Sequence, residues 1–336
     1  MSKSWSFFLM SGSRRKSERC FGEKGEFQVK KTDVIIPVYK PDKRLFVLLD
    51  LLERQTVRIN RIFLVNTEQI YFDRLIIGTD FWQRYKNVSV RHISRREFDH
   101  GNTRRCAVAE SDSDYFVMMT DDAIPADEYL LERLLAPLAE KKAAMSYARQ
   151  LPAPDCGVIE RFTRDFNYPD QSVVKSAKDL PVLGIKTFFA SNVCAAYDRA
   201  VYDRLGGFVK RTIFNEDMIY ARKLIDAGES IAYAAHAQVF HSHNYSAFQQ
   251  FRRNFDLGVS HAQFPDIFGG VKTEGEGIRL VKGTCSYLVK EGKPWLILKL
   301  FFHSGCKYLG FFLGKRYQKL PWRMVRQCSM NREYWK

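Results

Sequence analysis

Short apolar runs alternate with segments that carry apolar residues at helical spacing, from Thr32 to about Pro265. Thr32–Val38, Ile59–Val65 and Tyr115–Met119 are rich in β-branched and other apolar residues, a pattern typical of strands buried on both faces. Leucines at helical spacing in Pro41–Arg54 indicate a helix between the first two strands. This alternation predicts an α/β fold with a mostly parallel central sheet and flanking helices.

The same alternation continues less regularly towards the C-terminus. Further strands are predicted at Asn87–Ile93, Ala143–Ala148 and Ile231–His243, and a strand pair, or a strand and a turn, at Thr187–Tyr197. Further helices are predicted at Asn102–Glu110, Tyr129–Leu138, Asn215–Ala227 and Ser246–Ser260. Gly228 is the expected C-cap glycine of the helix at Asn215–Ala227, which limits that helix to about three turns.

Four segments follow from these patterns. Residues 1–31 are charged and contain glycine, and we expect a flexible basic leader there. Residues 32–267 form the predicted α/β domain. Phe268–Gly277 holds four glycines and is typical of a linker. Residues 278–336 are predicted to form a separate amphipathic helical appendage.

Composition narrows the class of protein. An apolar content of 46% argues against general disorder, and a formal net charge of +15 favours phosphate-bearing partners, either nucleic acid or an anionic membrane surface. The seven scattered cysteines show no CxxC pair, which favours reduced thiols in the cytoplasm. The N-terminus lacks a signal-peptide pattern. The sequence contains no uninterrupted run of 18 apolar residues, so we expect no transmembrane helix.

Paired aspartates follow the predicted strand at Tyr115–Met119. Asp121 and Asp122 stand where ligands bind in open α/β sheets, just beyond the carboxyl end of a strand. Carboxylate oxygens are the ligands that hard divalent cations prefer. The alternative is a loop with two solvated aspartates or a helix N-cap, but the buried strand before the pair favours a cation site.

A second acidic pair, Glu216 and Asp217, opens a predicted helix. One carboxylate at a helix N-terminus can point into a cleft while backbone N–H groups hold the other, so the pair can supply a general base. The alternative is an ordinary acidic first turn that interacts favourably with the helix dipole.

Two histidines end the predicted strand at Ile231–His243. His241 and His243 are two residues apart, so both project from the same face of a strand, and either can complete a metal site. We favour His241, and for His243 a structural role or a contact to a phosphate is an equally good interpretation.

A nucleotide site is predicted from the ends of the first two strands and from the segment before Asn102. Pro37, Val38 and Tyr39 close the first strand, and Asn66 and Glu68 close the second. Phe98–Arg105 (FDHGNTRR) brings a glycine and two arginines to a helix start, a combination that suits nucleotide phosphates. Arg104 is the predicted base or phosphate contact, with Arg105 as the alternative or as a solvated arginine.

Together, TDVIIPVY at Thr32–Tyr39, YFVMMTDDAIP at Tyr115–Pro125 and NEDMIY at Asn215–Tyr220 resemble the family-2 glycosyltransferases of the GT-A fold. The FDHGNTR string, the segments Ala148–Pro152 and Phe189–Asn192, and Val239–Tyr245 resemble the rhamnosyltransferase-like subset. The resemblance covers nearly everything from Thr32 onward. Two positions depart from the family pattern, because Thr120 replaces the first acid of Asp-x-Asp and Asn66 stands where an aspartate that reads the base is commoner.

The resemblance implies an inverting, metal-dependent transfer of a sugar, L-rhamnose from dTDP-β-L-rhamnose, to a glycan acceptor in surface polysaccharide synthesis. It implies that residues 32–267 form the catalytic domain, that Asp217 is the general base beside Glu216, and that Asp122 binds Mg²⁺ or Mn²⁺ with His241 or His243. It places Asp121 at the ribose or at the metal. Arg149 and Asn192 are expected at the donor sugar or the acceptor, or in bracing roles.

The C-terminal segment adds a membrane expectation. Lys290–Arg326 contains nine basic residues and one acidic residue, and Pro294–Gly314 is rich in aromatic residues. Aromatic residues beside lysines are typical of a helix that lies in the headgroup region of an anionic membrane. We therefore expect a protein at the cytoplasmic face of the membrane with a lipid-linked acceptor. A core helix or a homodimer interface is the alternative.

Two other functions compete with this interpretation. A basic nucleic-acid-binding protein would explain the net charge but not carboxylates at strand ends, and no nucleic-acid motif is present, so we expect no nucleic-acid partner. A nucleotidyltransferase would share the fold and the metal carboxylates, but would need a phosphate-binding signature that the sequence lacks. The resemblance to the family-2 glycosyltransferases implies that the donor is a dTDP- or UDP-linked sugar.

Overall fold

The computed structural model describes residues 30–270 and 274–335. From Lys31 onward the described residues form one compact unit. The predicted leader at residues 1–31 lies outside the described residues except for Lys30 and Lys31, and part of the predicted linker is also outside them.

One sheet contains all nine strands of the described residues. The strands are β1 Thr32–Tyr39, β2 Arg61–Thr67, β3 Val88–Ile93, β4 Tyr115–Met119, β5 Ile124–Pro125, β6 Met145–Leu151, β7 Val173–Lys175, β8 Cys194–Asp198 and β9 Ile231–Phe240. Their order across the sheet is β3-β2-β1-β4-β8-β6-β9-β5, and β7 also pairs with β9. The pairings orient β1, β2, β3, β4, β6 and β9 in one direction and β5, β7 and β8 in the other.

Helices lie between and after these strands. They are α1 Arg44–Glu53, α2 Gln69–Ile76, α3 Phe81–Arg84, α4 His100–Ala109, α5 Leu130–Ala139, α6 Val158–Asn167, α7 Leu180–Leu183, α8 Arg199–Arg204, α9 Glu216–Asp226, α10 Ala247–Gln263, α11 Pro265–Phe268, α12 Glu274–Lys290, α13 Leu296–Gly314 and α14 Trp322–Cys328. Short 3₁₀ turns lie at Ala177–Asp179, Gly184–Phe188, Tyr317–Lys319 and Arg332–Tyr334. The predicted α/β fold, with its mostly parallel sheet and C-terminal helices, is confirmed.

The sheet is buried on both faces. The central strand β4 is fully buried along its length, and one apolar cluster lies on each side of the sheet. The leucines of α1 at the predicted spacing pack into the first cluster, and Leu224 and Ile225 of α9 pack into the second. The continuous apolar runs therefore mark strands that are covered by helices on both sides, as the sequence predicts.

Parallel topology brings the chemically active segments to one edge. The carboxyl ends of β1, β4, β6 and β9 lie at the same edge of the sheet, so Tyr39, Asp121 and His241 meet there. β8 runs the other way, and the segment before it begins at the same edge, where Thr120 N–H donates to the Val193 carbonyl at 3.1 Å.

Of the two alternatives predicted for Thr187–Tyr197, the strand pair is wrong, and a turn followed by one strand is found. Gly184–Phe188 is a 3₁₀ turn, and β8 begins only at Cys194. The buried cation of Lys175 donates to the carbonyls of Lys186 at 2.9 Å and Phe189 at 2.7 Å. Because these carbonyls are bound by a side chain, the segment has no need of a neighbouring strand, and its apolar residues pack as a loop.

Two C-terminal helices pack almost backbone to backbone. A Cβ atom added at Gly310 of α13 would overlap the Phe251 carbonyl oxygen of α10, and one added at Gly314 would overlap the Phe255 carbonyl oxygen. Glycines one turn apart therefore allow α13 to lie directly on α10. The predicted linker at Phe268–Gly277 is helical from Glu274 onward, because α12 begins there.

Candidate active site

Three side chains that could hold a metal ion, Asp122, His241 and His243, meet at the carboxyl edge of the sheet. His241 Nε2 lies 3.5 Å from Asp122 Oδ1, and His243 Nε2 lies 3.5 Å from Asp122 Oδ2. The ligand atoms of Asp122, His241 and His243 all lie within 4.8 Å of one another. Both histidines follow β9 and Asp122 follows β4, so the fold brings together residues that are far apart in the sequence.

A buried glutamine fixes the proton on His241. His241 Nδ1 lies 2.9 Å from Gln150 Oε1, which can only accept, so Nδ1 carries the proton and Nε2 presents a lone pair. Gln150 is 2% exposed, and its Nε2 donates to the Tyr168 hydroxyl at 2.6 Å and to Ser191 Oγ at 3.0 Å. Such a second partner is typical of metal-binding histidines, because it sets the tautomer and the ring orientation.

The electrostatics of this cluster fit a cation. Burial lowers the pKa of His241 to about 3, and burial also lowers the pKa of His243. Although burial favours the protonated form of Asp122, the histidines that face it bring its pKa below the usual value. At neutral pH the Nε2 lone pair of His241 and the carboxylate of Asp122 thus face one point, and the ring of His243 lies beside them. Imidazole nitrogens and carboxylate oxygens are a donor set that Mg²⁺ or Mn²⁺ accepts.

Asp121 has a different environment from its neighbour. Burial and the negative charge of Asp122 raise the pKa of Asp121 to about 7, while a hydrogen bond from the main-chain N–H of Tyr39 opposes the shift. Asp121 therefore lies at the junction of the β1 and β4 ends, next to the segment predicted to bind the nucleotide.

The second acidic pair is held by Asn192. Its main-chain N–H donates to Asp217 Oδ2 at 2.9 Å, and its side-chain amide donates to Glu216 Oε1 at 3.1 Å. Met218 N–H donates to Asp217 Oδ1 at 2.8 Å. Tyr197 donates its hydroxyl proton to Asn192 Oδ1 at 2.5 Å, so the amide that grips the pair is itself fixed.

The two carboxylates of this pair titrate differently. Glu216 is buried, which favours protonation, but the guanidinium of Arg104 at 3.2 Å brings the pKa of Glu216 below its usual value. Burial and the negative charge of Glu216 raise the pKa of Asp217 to about 7. The pair thus contains one permanently charged acid and one poised to take a proton near neutral pH, which is the property required of a general base.

Local backbone geometry directs this pair into the cavity. Asn215 adopts a left-handed conformation, with φ of 64°, directly before α9, and its side chain donates to Ser260 Oγ at 3.3 Å. Asparagine tolerates this conformation better than most residues. In the FDHGNTRR segment, a Cβ atom at Gly101 would overlap the Val209 carbonyl, so glycine lets the start of α4 approach the loop before α9.

One cavity of about 810 Å³ connects these groups. Nine of the predicted site residues line it: Tyr39, Arg104, Asp121, Asp122, Asn192, Glu216, Asp217, His241 and His243. The cavity lining does not include Pro37, Val38, Asn66, Glu68 or Arg149. The cluster of Asp122, His241 and His243 and the predicted base Asp217 therefore share one cavity, which is large enough for a nucleotide sugar.

Several of the predicted nucleotide residues lie behind the cavity wall. Asn66 is fully buried, and its Nδ2 donates to the Glu68 carbonyl at 3.2 Å. Glu68 Oε1 accepts from Arg95 N–H at 2.7 Å, and Arg95 itself lines the cavity. Arg105 faces away from the cavity and donates to the Gly206 and Phe208 carbonyls, so it braces that turn.

The structure adds functional candidates that sequence patterns do not reveal. His100 and Gln150 belong to segments noted for their resemblance, but no role is predicted for either. Arg164, Arg253 and Lys307 line the cavity from α6, α10 and α13. In the sequence each of these three is only a cation on a predicted helix, and such side chains are usually solvated. Their place in the cavity becomes evident only from the packing of helices that are far apart in the chain.

A model of the family described as glycosyl transferase family 2 matches residues 33–206 of the chain. Those residues contain the β1 and β4 ends, Asp121, Asp122 and Asn192. Two curated relatives are similar over most of the length. The O-antigen chain rhamnosyltransferase RfbN of Salmonella typhimurium (strain LT2) is 38% identical over 91% of this chain and 96% of its own. The O-antigen chain rhamnosyltransferase WbaN of Salmonella anatum is 40% identical over 84% of this chain and 88% of its own.

Solved structures share the fold at low sequence identity. Residues 1–349 of S. aureus TarS have 14% identity and a TM-score of 0.53, covering 89% of this chain and 83% of that one. The Pyrobaculum calidifontis mannosyltransferase PcManGT, solved with GDP-Man and Mn²⁺, also has 14% identity, with a TM-score of 0.52 and coverage of 91% and 84%. At this identity the likeness is one of fold.

Proposed function

The chain belongs to glycosyl transferase family 2 and is a glycosyltransferase, and from this premise we propose that it transfers L-rhamnose from dTDP-β-L-rhamnose to a lipid-linked glycan. The names of the two curated relatives support the donor sugar and the link to O-antigen synthesis. The observation that carries the proposal is the shared cavity, in which the Asp122 cluster and Asp217 face the same space.

We propose Asp217 as the general base of an inverting displacement. The acceptor hydroxyl attacks the anomeric carbon, its proton passes to the Asp217 carboxylate, and the bond from that carbon to the diphosphate oxygen breaks. The pKa of about 7 suits this role, because about half of the carboxylate is ionised at pH 7 and the group is basic enough to hold the proton. Hydrogen bonds from Asn192 and Met218 fix the orientation of Asp217, and each oxygen keeps a lone pair for the acceptor.

Asp122, His241 and His243 are the proposed ligands of Mg²⁺ or Mn²⁺. A bound divalent cation would neutralise the charge that develops on the leaving nucleoside diphosphate. Asp122 supplies the negative charge of the site, His241 is held by Gln150, and His243 stacks on Tyr245 with ring centroids 4.7 Å apart. These supports hold the ligands in place before the donor arrives.

The nucleotide would bind between the β1 end and α4. Tyr39 is 42% exposed at the cavity, with Tyr71 edge-on at 5.8 Å and the Arg95 guanidinium 5.7 Å from its ring centre. An exposed aromatic ring beside a cation suits stacking against a base. Arg104 is predicted as a base or phosphate contact, but it is ion-paired to Glu216. We propose that its positive charge offsets the negative charge of the acidic pair.

We propose that α13 holds the enzyme on the cytoplasmic face of the membrane. By length and composition α13 is apolar enough to cross a bilayer, although the sequence pattern predicts no span. Its contact with α10 and the position of Lys307 in the cavity favour a helix that stays with the catalytic domain and lies on the bilayer. The exposed apolar side chains at the N-cap of α13 and along the helix include Trp295, Leu298, Phe301, Phe302, Tyr308 and Leu309. Basic residues around them suit an anionic surface, where each adds about 1 kcal/mol.

A donor screen tests the proposal. The full-length protein would be incubated with dTDP-β-L-rhamnose, UDP-sugars and GDP-mannose, with Mn²⁺ or with EDTA, and release of the nucleoside diphosphate would be measured. We expect turnover of the dTDP-linked sugar that requires the metal and is lost in Asp122→Ala. Preference for another nucleotide sugar would overturn the donor assignment, and turnover that is unchanged in EDTA would overturn the metal site.

A further inference from the structure

Two cations from the C-terminal helices line the same cavity as the acidic pair. Arg253 lies on α10 and Lys307 lies on α13, and both belong to the cavity that contains Asp122 and Asp217. Gly310, one turn after Lys307, packs against the Phe251 carbonyl of α10. Residues three apart share a helix face, so this close approach carries Lys307 inward beside α10.

Within residues 30–270 and 274–335, neither cation lies within ion-pair distance of a carboxylate. Arg164 nearby is committed, since it is ion-paired to Glu160 at 2.8 Å and bonded to Gln150. Among the ion pairs of the described residues, none is made by Arg253 or Lys307. Arg253 lies 4.7 Å from the centre of the Phe214 ring and hydrogen bonds with Tyr245, contacts that hold its direction but leave its charge unpaired.

The electrostatics show that these charges are close together and poorly solvated. Burial lowers the pKa of Lys307; the charge of Glu160 raises it, and the charges of Arg253 and Arg164 lower it further. Arg253 hydrogen bonds with Tyr245, and the ring of Tyr245 stacks on His243 with ring centroids 4.7 Å apart, so the charge of Arg253 lies near the cluster of Asp122, His241 and His243. Clustered cations in a cavity are unfavourable by themselves, and an anionic ligand relieves the repulsion.

We propose that Arg253 and Lys307 bind the β-phosphate of the donor, on the side of the diphosphate away from Asp122. This inference rests on the proposed function and deepens it, because it makes the C-terminal helices part of the donor site. The position beside the metal cluster selects the donor diphosphate over the phosphates of a lipid-linked acceptor. A diphosphate at this point would accept charge-assisted hydrogen bonds from both side chains while its other oxygens face the metal ligands.

Nucleotide binding to single variants tests the inference. The full-length protein with Mn²⁺ would be titrated calorimetrically with dTDP and with dTMP, which lacks the β-phosphate. For Lys307→Gln and Arg253→Gln we expect the Kd for dTDP to rise about 10- to 100-fold and the Kd for dTMP to change less than about twofold. Lys307→Arg should restore dTDP binding, and unchanged melting temperatures would show that the variants fold.

Lys299→Gln is the matched control, because Lys299 is exposed on the same helix two turns before Lys307 and the charge change is identical. Its dTDP affinity should equal that of the wild type. If Lys307→Gln also binds dTDP normally, or loses only affinity for a lipid-linked acceptor, the inference is overturned while the proposed function stands. If the wild type binds no nucleoside diphosphate with Mn²⁺, the inference and the proposed function fall together.

Discussion

The main-chain N–H of Asn192 donates a hydrogen bond to Oδ2 of Asp217 over 2.9 Å. The same residue reaches Glu216 through its side chain, so a single asparagine before β8 orients both carboxylates at the start of α9. Because Arg104 pairs with Glu216, and no cation in the part of the chain that the structure describes forms an ion pair with Asp217, the two acids differ in pKa. This difference underlies the assignment of Asp217 as the base.

Activity should depend on the ionisation of Asp217. A protonated carboxyl cannot take the acceptor proton, so kcat/KM should fall about tenfold per pH unit below pH 7 and level off above it. Glu216 raises the pKa of Asp217, so Glu216→Gln should move this acidic limb to lower pH. A pH–rate profile of both proteins measures the shift.

Asp226→Asn provides the control for that profile. Asp226 is half exposed in the last turn of the same helix and pairs with Arg222 at 2.8 Å. Its substitution removes the same charge far from Asp217, so the limb should stay in place. A limb that remains near pH 7 in Glu216→Gln would argue that another group controls the profile.

Metal affinity should depend on Gln150 as well as on the ligands. Gln150→Leu removes the acceptor that fixes the His241 tautomer, and loss of such a partner weakens metal binding by about 10- to 100-fold. Mn²⁺ titration followed by calorimetry or electron paramagnetic resonance measures this directly. His236→Ala, at an exposed position of β9, should leave Mn²⁺ affinity unchanged. Equal affinity in Gln150→Leu and the wild type would contradict the assignment of His241.

The contact between α10 and α13 predicts a difference between two glycines of one helix. Gly310→Ala would force the helices apart, because its Cβ overlaps the Phe251 carbonyl, and overpacking of this kind costs about 1–3 kcal/mol. Gly305→Ala meets nothing within 4 Å, and alanine is the better helix former by about 1 kcal/mol. Thermal unfolding should therefore show a lower Tm for Gly310→Ala and an equal or higher Tm for Gly305→Ala. The reverse order would show that the helices are not packed this closely.

Membrane binding should depend on the exposed face of α13. Leu298→Glu places a charge at a side chain that is 80% exposed, and it should reduce flotation with vesicles that contain anionic lipid. Ile77→Glu makes the same kind of change at an 81% exposed residue near α2, and should have no effect. Vesicles of neutral lipid should bind the wild type more weakly. Equal flotation of the two variants would place the membrane contact elsewhere or exclude it.

The strand ends were predictable because they follow from local pattern and parallel topology. Apolar runs identify β1 and β4, and the carboxyl ends of parallel strands share an edge, so Asp122 and His241 could be expected to meet. The acidic first turn marks the start of α9 at Glu216, and Gly228 marks its end. Such features are set by residues within a few positions of one another in the chain.

The rest of the site depends on contacts that local pattern does not specify. The resemblance of Phe189–Asn192 suggests Asn192, but its grip on two carboxylates needs the loop before β8 to lie against α9. The sequence pattern does not distinguish Lys307 from any other lysine of an amphipathic helix. Its position in the cavity follows only from the glycines of α13, which determine the helix face that packs on α10. For Asn66 the local pattern is misleading. The sequence predicts a nucleotide contact, but Asn66 is buried behind the cavity wall and donates a hydrogen bond to the Glu68 carbonyl.

The central claim, that Asp217 and the cluster of Asp122, His241 and His243 perform one reaction in a shared cavity, is tested most directly by Asp217→Asn. Transfer of rhamnose from dTDP-β-L-rhamnose and the Kd for dTDP with Mn²⁺ would be measured on the same preparation, beside Asp122→Ala. We predict that Asp217→Asn lowers the transfer rate by about 10²- to 10⁴-fold and leaves the Kd for dTDP within about twofold, whereas Asp122→Ala weakens metal-dependent dTDP binding. Wild-type transfer by Asp217→Asn, or loss of dTDP binding in that variant, would contradict the account.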